Sequence, residues 1–536
     1  MSFAITCPNS HHSASTHLQT GSVWSKKIIL PLLYAMGGRV PKIVLDRATC
    51  SQQRMNQHGK PCQVTASHAG LHPDIMDLLD AKVLSRNIEH LISLSIIHVI
   101  DSSYVSNDEL ARNAFYQAKE HWLREAFRLC CHVFPRSPII DPSFGSIGRE
   151  LLDALRHLLR LHAENGLEPP HCQETVETLL AASRLETANT REKLLVQAAN
   201  SGSYLHKTHL HAEIAHEWSV FFRSQGRIQD SDRVIRQFLH HHGPNIQVSW
   251  VSLGRLRISQ AYNLAYKFDF DTAHETLKWL PSSDNLSEGE VYLLCDQLLC
   301  SGRILRGQGR FEEAKHCLDS CIATIGLLES KRLLIVSHLS DLHCELDYAQ
   351  CNNQSQTHLK EAKEMVVREI GGARESHRHS RGLRRLLLSL LEVDIRQGLF
   401  HEAKTWIKEL LDLYNKLLEP DINDKIGHVR ALIARARISH LNEAEGCWMA
   451  ALDQNSLYNP GEEDVFTCGI IYLFVSLTRL QLGRVEESKH AFRQAREVIS
   501  RKQPQYLIPG IGTYLFHYVT SELQSRAGWT LPKIAH

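Results

Sequence analysis

Apolar residues recur every three or four positions over most of the chain. Val291, Leu294, Cys295, Leu298, Gly302 and Leu305 form one such stripe, and Phe311, Ala314, Leu318, Cys321, Ile322 and Ile325 form the next. That spacing gathers each set on one face of an α-helix. Ser287-Glu-Gly-Glu290 supplies a capping box at the entrance of the first helix, and Gly326 suits the exit of the second. Two striped helices joined by a short glycine-containing turn make a helical hairpin. Upstream, Pro73 opens a short helix, and Ser106-Asn-Asp-Glu109 caps a longer one that ends before Pro135. Two further helices are predicted from Leu151 to Leu161 and from Val176 to Leu185, and a strand within Ile92–Ile100.

The turn between the two stripes belongs to a phrase that repeats: Gly, any residue, an apolar residue, two mostly polar residues, then Ala or Ser. It reads Gly226-Arg-Ile-Gln-Asp-Ser231, Gly309-Arg-Phe-Glu-Glu-Ala314, Gly398-Leu-Phe-His-Glu-Ala403 and Gly483-Arg-Val-Glu-Glu-Ser488, with a degenerate copy ending in Phe270 and Ala273. The starts at 226, 268 and 309 stand 42 and 41 apart, and the later gaps of 89 and 85 are about double. Unmarked hairpins with turns near 357 and 439 fill those gaps. A fixed period of this length predicts an all-α solenoid of about seven hairpins over residues 191–500. Residues 501–536 supply a capping helix (Tyr514, Leu515, Tyr518, Val519, Leu523) and a tail. Residues 71–190 read as a helical region before the repeats, with a winged-helix remnant as one reading of it. Residues 1–70, rich in Ser, His, Thr and Gln with Asp46 as the only acidic residue, are expected as a disordered or divergent tail.

The phrase has a physical logic. Gly226, Gly309, Gly398 and Gly483 permit a tight turn. Phe270, Phe311, Phe400 and Val485 are expected to plug the space between a hairpin's helices. Ser231, Ala273, Ala314, Ala403 and Ser488 keep the closest approach small, as interdigitating helices require. In these respects the phrase resembles the tetratricopeptide repeat, and the period resembles the longer kinesin-light-chain variety. Residues 90–135 carry a second resemblance. Leu94-Ser-Ile-Ile-His98, then Trp122, Ala126 and Phe127, then Cys131-His-Val-Phe-Pro135 are similar to the segment joining ATPase to repeats in fungal-type NACHT and NB-ARC signalling proteins. That resemblance implies the repeat half of such a protein without its motor, since no Gly-x-x-x-x-Gly-Lys-Ser/Thr phosphate loop occurs.

Charge narrows the partner. Lys and Arg total 60 against 59 Asp and Glu, so no global pull draws the chain to nucleic acid or an anionic membrane. Fourteen cysteines without a Cys-x-x-Cys suit reduced thiols in a cytoplasmic protein. The apolar run Ile28–Met36 is too short to span a bilayer. Among local clusters, the histidines at 206, 209, 211 and 216 lack metal-ligand spacing, and Cys317 and Cys321 fall on or beside a core stripe, so no metal and no cofactor is expected. The densest basic stretch is Arg374, Arg378, Arg381, Arg384 and Arg385. It is a candidate patch for an acidic protein partner; nucleic acid is disfavoured because no aromatics interleave for stacking.

No nucleophile elbow, dinucleotide fingerprint or kinase signature occurs. The expected function is therefore a non-enzymatic protein-interaction scaffold that holds a protein or peptide in its repeat groove, with no small-molecule substrate. The alternatives are a relative of a NACHT/NB-ARC ATPase lacking its nucleotide-binding half and, more weakly, a regulator touching nucleic acid through residues 374–385.

Overall fold

The computed structural model describes residues 27–106, 109–242, 250–267, 269–278, 286–325, 329–350, 355–376, 380–458, 465–500 and 512–531. The chain packs as two units, the first ending at Glu217 and the second beginning at Trp218.

In the first unit a helix α1 over 27–35 buries Ile28, Ile29, Leu30, Leu32 and Leu33. Strand β1 (Arg39–Pro41) and α2 (Lys42–Ala48) follow, then a hairpin of β2 (Gln52–Met55) and β3 (Pro61–Val64). Next come α3 (Pro73–Leu78), α4 (Ala81–Ser93), β4 (Ile97–Ile100) and β5 (Ser103–Ser106). The strands β1, β5 and β4 form an antiparallel sheet in that order. The β4–β5 turn places Asp101 and Ser102 at φ 45° and 59°, the two left-handed residues of a tight hairpin. Leaving aside α2 and the separate β2–β3 hairpin between β1 and α3, the helix, strand, two helices and returning hairpin beside the first strand follow the winged-helix order.

Residues 27–70, expected as tail, thus carry regular structure. The apolar run Ile28–Met36 is a core helix, and its scarcity of charge reflects burial instead of disorder. The capping box at Ser106 lies partly outside the described residues, and its helix runs as α5 (Glu109–Gln117). The unit continues through α6 (Lys119–Val133), α7 (Phe144–Glu164), α8 (Gln173–Ser183) and α9 (Ala188–Ser203). Glu174 on α8 holds it together from within, 2.5 Å from Arg136 and 3.3 Å from Arg54 of β2.

α10 (Thr208–Ser224) contains the boundary between the units. Seven hairpins follow in series: α10 with α11 (Ile228–His242), α12 (Trp250–Tyr266) with α13 (Phe270–Leu277), α14 (Glu288–Gly307) with α15 (Phe311–Ile325), and α16 (Glu329–Gln350) with α17 (Ser355–Ser376). Then come α18 (Arg381–Arg396) with α19 (Phe400–Asn415), α20 (Ile422–Ile438) with α21 (Leu441–Tyr458), and α22 (Val465–Gln481) with α23 (Val485–Ser500). α24 (Gly512–Ala527) closes the row, burying Leu515, Val519 and Leu523 against α22. Apart from the five short strands of the first unit, the described regular structure is helical, and the second unit is a TPR-like stack of hairpins.

The phrase acts at every turn that bears it. Gly226, Gly309, Gly398 and Gly483 all have φ between 74° and 78°. In each case the next residue donates its N–H to the carbonyl five positions back: Arg227 to Phe222, Arg310 to Leu305, Leu399 to Asp394 and Arg484 to Arg479, at 2.8–2.9 Å. This is the Schellman closure, which satisfies the last carbonyls of the first helix. In the degenerate copy Asp269 donates to Leu264 at 3.0 Å; Phe268 lies outside the described residues.

Ser231, Ala273, Ala314, Ala403 and Ser488 are completely buried. Where the small residue is a serine, it finds a serine on the facing helix. Ser231 Oγ is 2.7 Å from Ser219 Oγ, and Ser488 Oγ donates to the Ser476 carbonyl at 2.7 Å. The apolar position behaves differently from expectation. Ile228 is buried and Phe270 packs against Gly307 of the next hairpin, but Phe400 and Val485 are 50% and 44% exposed. That position opens the second helix, beyond the last full turn of its partner, so burial there depends on what the neighbouring hairpin offers.

Candidate binding groove

First helices of successive hairpins touch at α12–α14, α16–α18 and α18–α20, whereas successive second helices make no comparable contact. The side of the row on which these first helices meet is taken as its inner side. That side carries charge. Arg306 of α14 meets Glu345 of α16 at 2.6 and 2.8 Å. Arg430 of α20 grips Asp341 of α16 through both nitrogens, at 2.9 and 2.8 Å, and Ser389 of α18 donates to the same carboxylate at 2.8 Å. Arg384 of α18 pairs with Asp424 of α20 at 2.7 Å. Arg437 of α20 and Arg396 of α18 share Glu392, at 2.5 and 2.8 Å. These pairs stitch neighbouring helices together, and most are nearly shut off from water, where two-pronged guanidinium–carboxylate geometry counts most.

Three further arginines stand near this side of the row. Arg223 of α10 bonds only neutral oxygens, including Asn263 Oδ1 at 3.0 Å, among its described hydrogen bonds. Arg223 and Arg303 of α14 lie over the ring of Tyr262, 5.3 and 5.0 Å from its centroid. Half-buried Arg385 of α18 makes no hydrogen bond or ion pair among the described residues. Burial first, and then the nearby Arg303, push its guanidinium down to about 10. Burial also lowers Arg223. Burial alone would raise the Tyr266 phenol, but Arg303 and Arg223 outweigh it and lower it.

Beneath them His338 of α16 is 2% exposed with both ring nitrogens unpartnered. Burial, then Arg385 and Arg303, hold it well below the usual imidazole range, so it is neutral at pH 7. The Asp341 carboxylate opposes the lowering of Arg385.

The basic stretch singled out in the sequence is not one patch. Arg374 lies on α17, paired with Glu409 at 2.7 Å and stacked over Trp406. Arg378 lies outside the described residues. Arg381 pairs with Asp421, and Arg384 with Asp424. Arg385 alone of the set stands close enough to Arg303 to feel its charge. Sequence reading missed its companions Arg223, Arg303, Tyr262, Tyr266 and His338, which stand on four other helices.

It also missed a second cluster, at the turn end of the α16–α17 hairpin. His343 Nδ1 of α16 lies 3.2 Å from His358 Nδ1 and 3.5 Å from Glu361 Oε2, both of α17. Among the described residues this is the one group of His, Cys, Asp and Glu with metal-holding geometry. The available signal was the i, i+3 spacing of His358 and Glu361 across from a buried histidine.

No family model matches the chain, and no curated protein matches it. Solved structures with related folds include the apo form of the quorum sensor NprR from B. thuringiensis, 12% identical over 78% of this chain and 94% of that one, with a TM-score of 0.34. A STAND signal-transduction ATPase with a tetratricopeptide-repeat sensor from Pyrococcus horikoshii is 10% identical over 96% of this chain and 68% of that one, with a TM-score of 0.42. A human IFIT1 dimer with m7Gppp-AAAA is 10% identical over 88% and 95%, with a TM-score of 0.36. At these scores the likeness says nothing about ligands or function.

Proposed function

We propose that the chain is a non-enzymatic scaffold whose inner helices hold an extended acidic segment of a protein partner. The observation that carries this reading is Arg385, which makes no ion pair or hydrogen bond among the described residues and stands near Arg303 and a neutral buried histidine. Carboxylates already serve this side of the row as partners for Arg306, Arg384 and Arg430. An incoming Asp or Glu would complete the same pattern. Nucleobases fit less well, because the aromatic faces are taken. Tyr262 lies under two guanidinium groups, and Tyr414 is covered by His428 at 5.5 Å and Arg384 at 5.8 Å.

No helix among the described residues is long and apolar enough to cross a membrane. The reading puts the protein in the cytoplasm, which would keep its many thiols reduced.

The test is fluorescence anisotropy with a labelled oligo-glutamate peptide, an oligo-lysine peptide and a single-stranded RNA of similar length. Acid-selective, salt-sensitive binding that falls at least about tenfold in Arg303→Glu/Arg385→Glu, with an unchanged melting curve, supports the reading; such a loss equals about 1.4 kcal/mol. Equal binding by the double variant, or tighter binding of RNA, overturns it. A second reading, kinship with NACHT/NB-ARC signalling ATPases, draws support from the winged-helix order that precedes the repeats. An in-frame phosphate-binding loop encoded upstream would favour it, and its absence would favour a free-standing scaffold.

A further inference from the structure

We propose that His343, His358 and Glu361 bind one Zn2+ ion that clips α16 to α17. Tetrahedral zinc holds nitrogen and oxygen ligands at about 2.0–2.1 Å, which sets any two of them roughly 3.3–3.4 Å apart. His343 Nδ1 stands 3.2 Å from His358 Nδ1 and 3.5 Å from Glu361 Oε2, and all three ligand atoms lie within 4.8 Å of one another. Two imidazoles and a carboxylate form a borderline set that suits zinc over the harder magnesium or calcium.

A plain hydrogen bond between the two rings is the competing account. It uses one proton and explains only the shorter distance. The carboxylate oxygen at 3.5 Å is beyond good hydrogen-bond range, and Glu361 has no Lys or Arg partner among the described residues. Neighbouring cations are engaged elsewhere: Lys315 with Asp319 at 2.7 Å, and Lys360 with Glu364 at 3.9 Å. One helical turn past His343, Asp347 Oδ1 is buried without a partner, adding negative charge at the same end of α16. A dication satisfies the whole arrangement. Three protein ligands leave the fourth position to water.

The location gives the ion a structural task. Four of the seven hairpins close on a glycine with φ near 75°, but the α16–α17 turn carries no copy of that phrase. Zinc bridging the last turns of α16 and the first turns of α17 would fasten this hairpin, whereas four of the others close on a left-handed glycine. The proposal is independent of the acidic-peptide reading.

The test uses the full chain, stripped with a chelator and then titrated with Zn2+ in the presence of a competing chelator, so that the weak surface histidines do not register. Co2+ serves as a visible reporter of tetrahedral coordination. One zinc per chain is expected, with affinity falling by about 10–100-fold in Glu361→Gln and at least as much in His343→Gln and His358→Gln. Because Glu361 is half exposed, Glu361→Gln should fold even if His343→Gln does not. Failure to take up zinc overturns the proposal. So does a single zinc whose affinity and Co2+ spectrum are unchanged in Glu361→Gln and His358→Gln, since the ion would then sit elsewhere.

Discussion

Replacing Gly309 by alanine tests the turn directly. Its φ is +74°, and a Cβ built there would meet nothing within 4 Å. Steric crowding therefore contributes nothing, and the cost comes from the backbone alone. A side chain in the left-handed region costs roughly 1–2 kcal/mol. Alanine returns roughly 0.4–1 kcal/mol by stiffening the unfolded chain. The net expectation is a loss of about 1 kcal/mol, a fivefold change in a local opening equilibrium. Asparagine, which tolerates this conformation, should lose only a few tenths.

Stacked repeats need not unfold in one step, so a urea midpoint is supplemented by hydrogen exchange at the Arg310 amide, which donates to Leu305 at 2.9 Å. Exchange there should accelerate about fivefold in Gly309→Ala and less in Gly309→Asn. Gly398 and Gly483 are equally open to a Cβ, so the three substitutions should be alike and nearly additive. A stabilised Gly309→Ala, or alanine and asparagine variants of equal stability, would mean that the left-handed closure does not hold the hairpin.

Two other predictions concern buried charge. Glu217 is 4% exposed; burial alone would raise its carboxyl, but Arg184 leads a group of cations that hold it at about 2 against an ordinary 4.5. A depressed folded value means stability that is present above pH 4.5 and is lost as pH falls toward 2. The shift corresponds to about 3 kcal/mol. Glu217→Gln should lower the urea midpoint at pH 7 and flatten its decline below pH 4.5, and an unaltered profile would contradict the assignment. Asp341→Asn should cost about 3–5 kcal/mol, because Arg430 loses its carboxylate inside the row. A double-mutant cycle with Arg430→Met reads this, the paired replacement recovering most of the loss; a single-variant cost under about 1 kcal/mol would contradict it.

The repeats were legible because their determinants are local. A glycine at a left-handed turn and a small residue five positions later are set by geometry within one hairpin, and four in-phase copies leave little room for chance. The outer apolar position misled because its burial depends on the next hairpin: Phe270 meets Gly307, while Phe400 is half exposed. Residues 27–70 misled for a different reason. Composition there resembles a tail, but β1 finds its partner far along the chain, with Arg39 opposite Val105, and Tyr34 packs on Phe115. The groove was hidden because its residues come from five helices, and the zinc cluster because it spans a turn outside any motif.

One part of the groove was readable in retrospect, through the repeat period. Residues about 40 positions apart occupy equivalent places on successive hairpins, so their side chains meet. Arg223 reaches Asn263, Arg306 reaches Glu345, Arg381 reaches Asp421 and Arg384 reaches Asp424, at separations of 40, 39, 40 and 40. The same step taken from Arg385 arrives at Lys425, another cation. The ladder that neutralises Arg381 and Arg384 therefore breaks at Arg385 in the sequence itself. A scaffold selected only for stability gains nothing from such a rung, since a glutamate at 425 would extend the stitching by one pair. On the proposed reading, Arg385, which forms no ion pair among the described residues, would take the carboxylate of an acidic partner segment, and the broken rung would mark where that carboxylate sits.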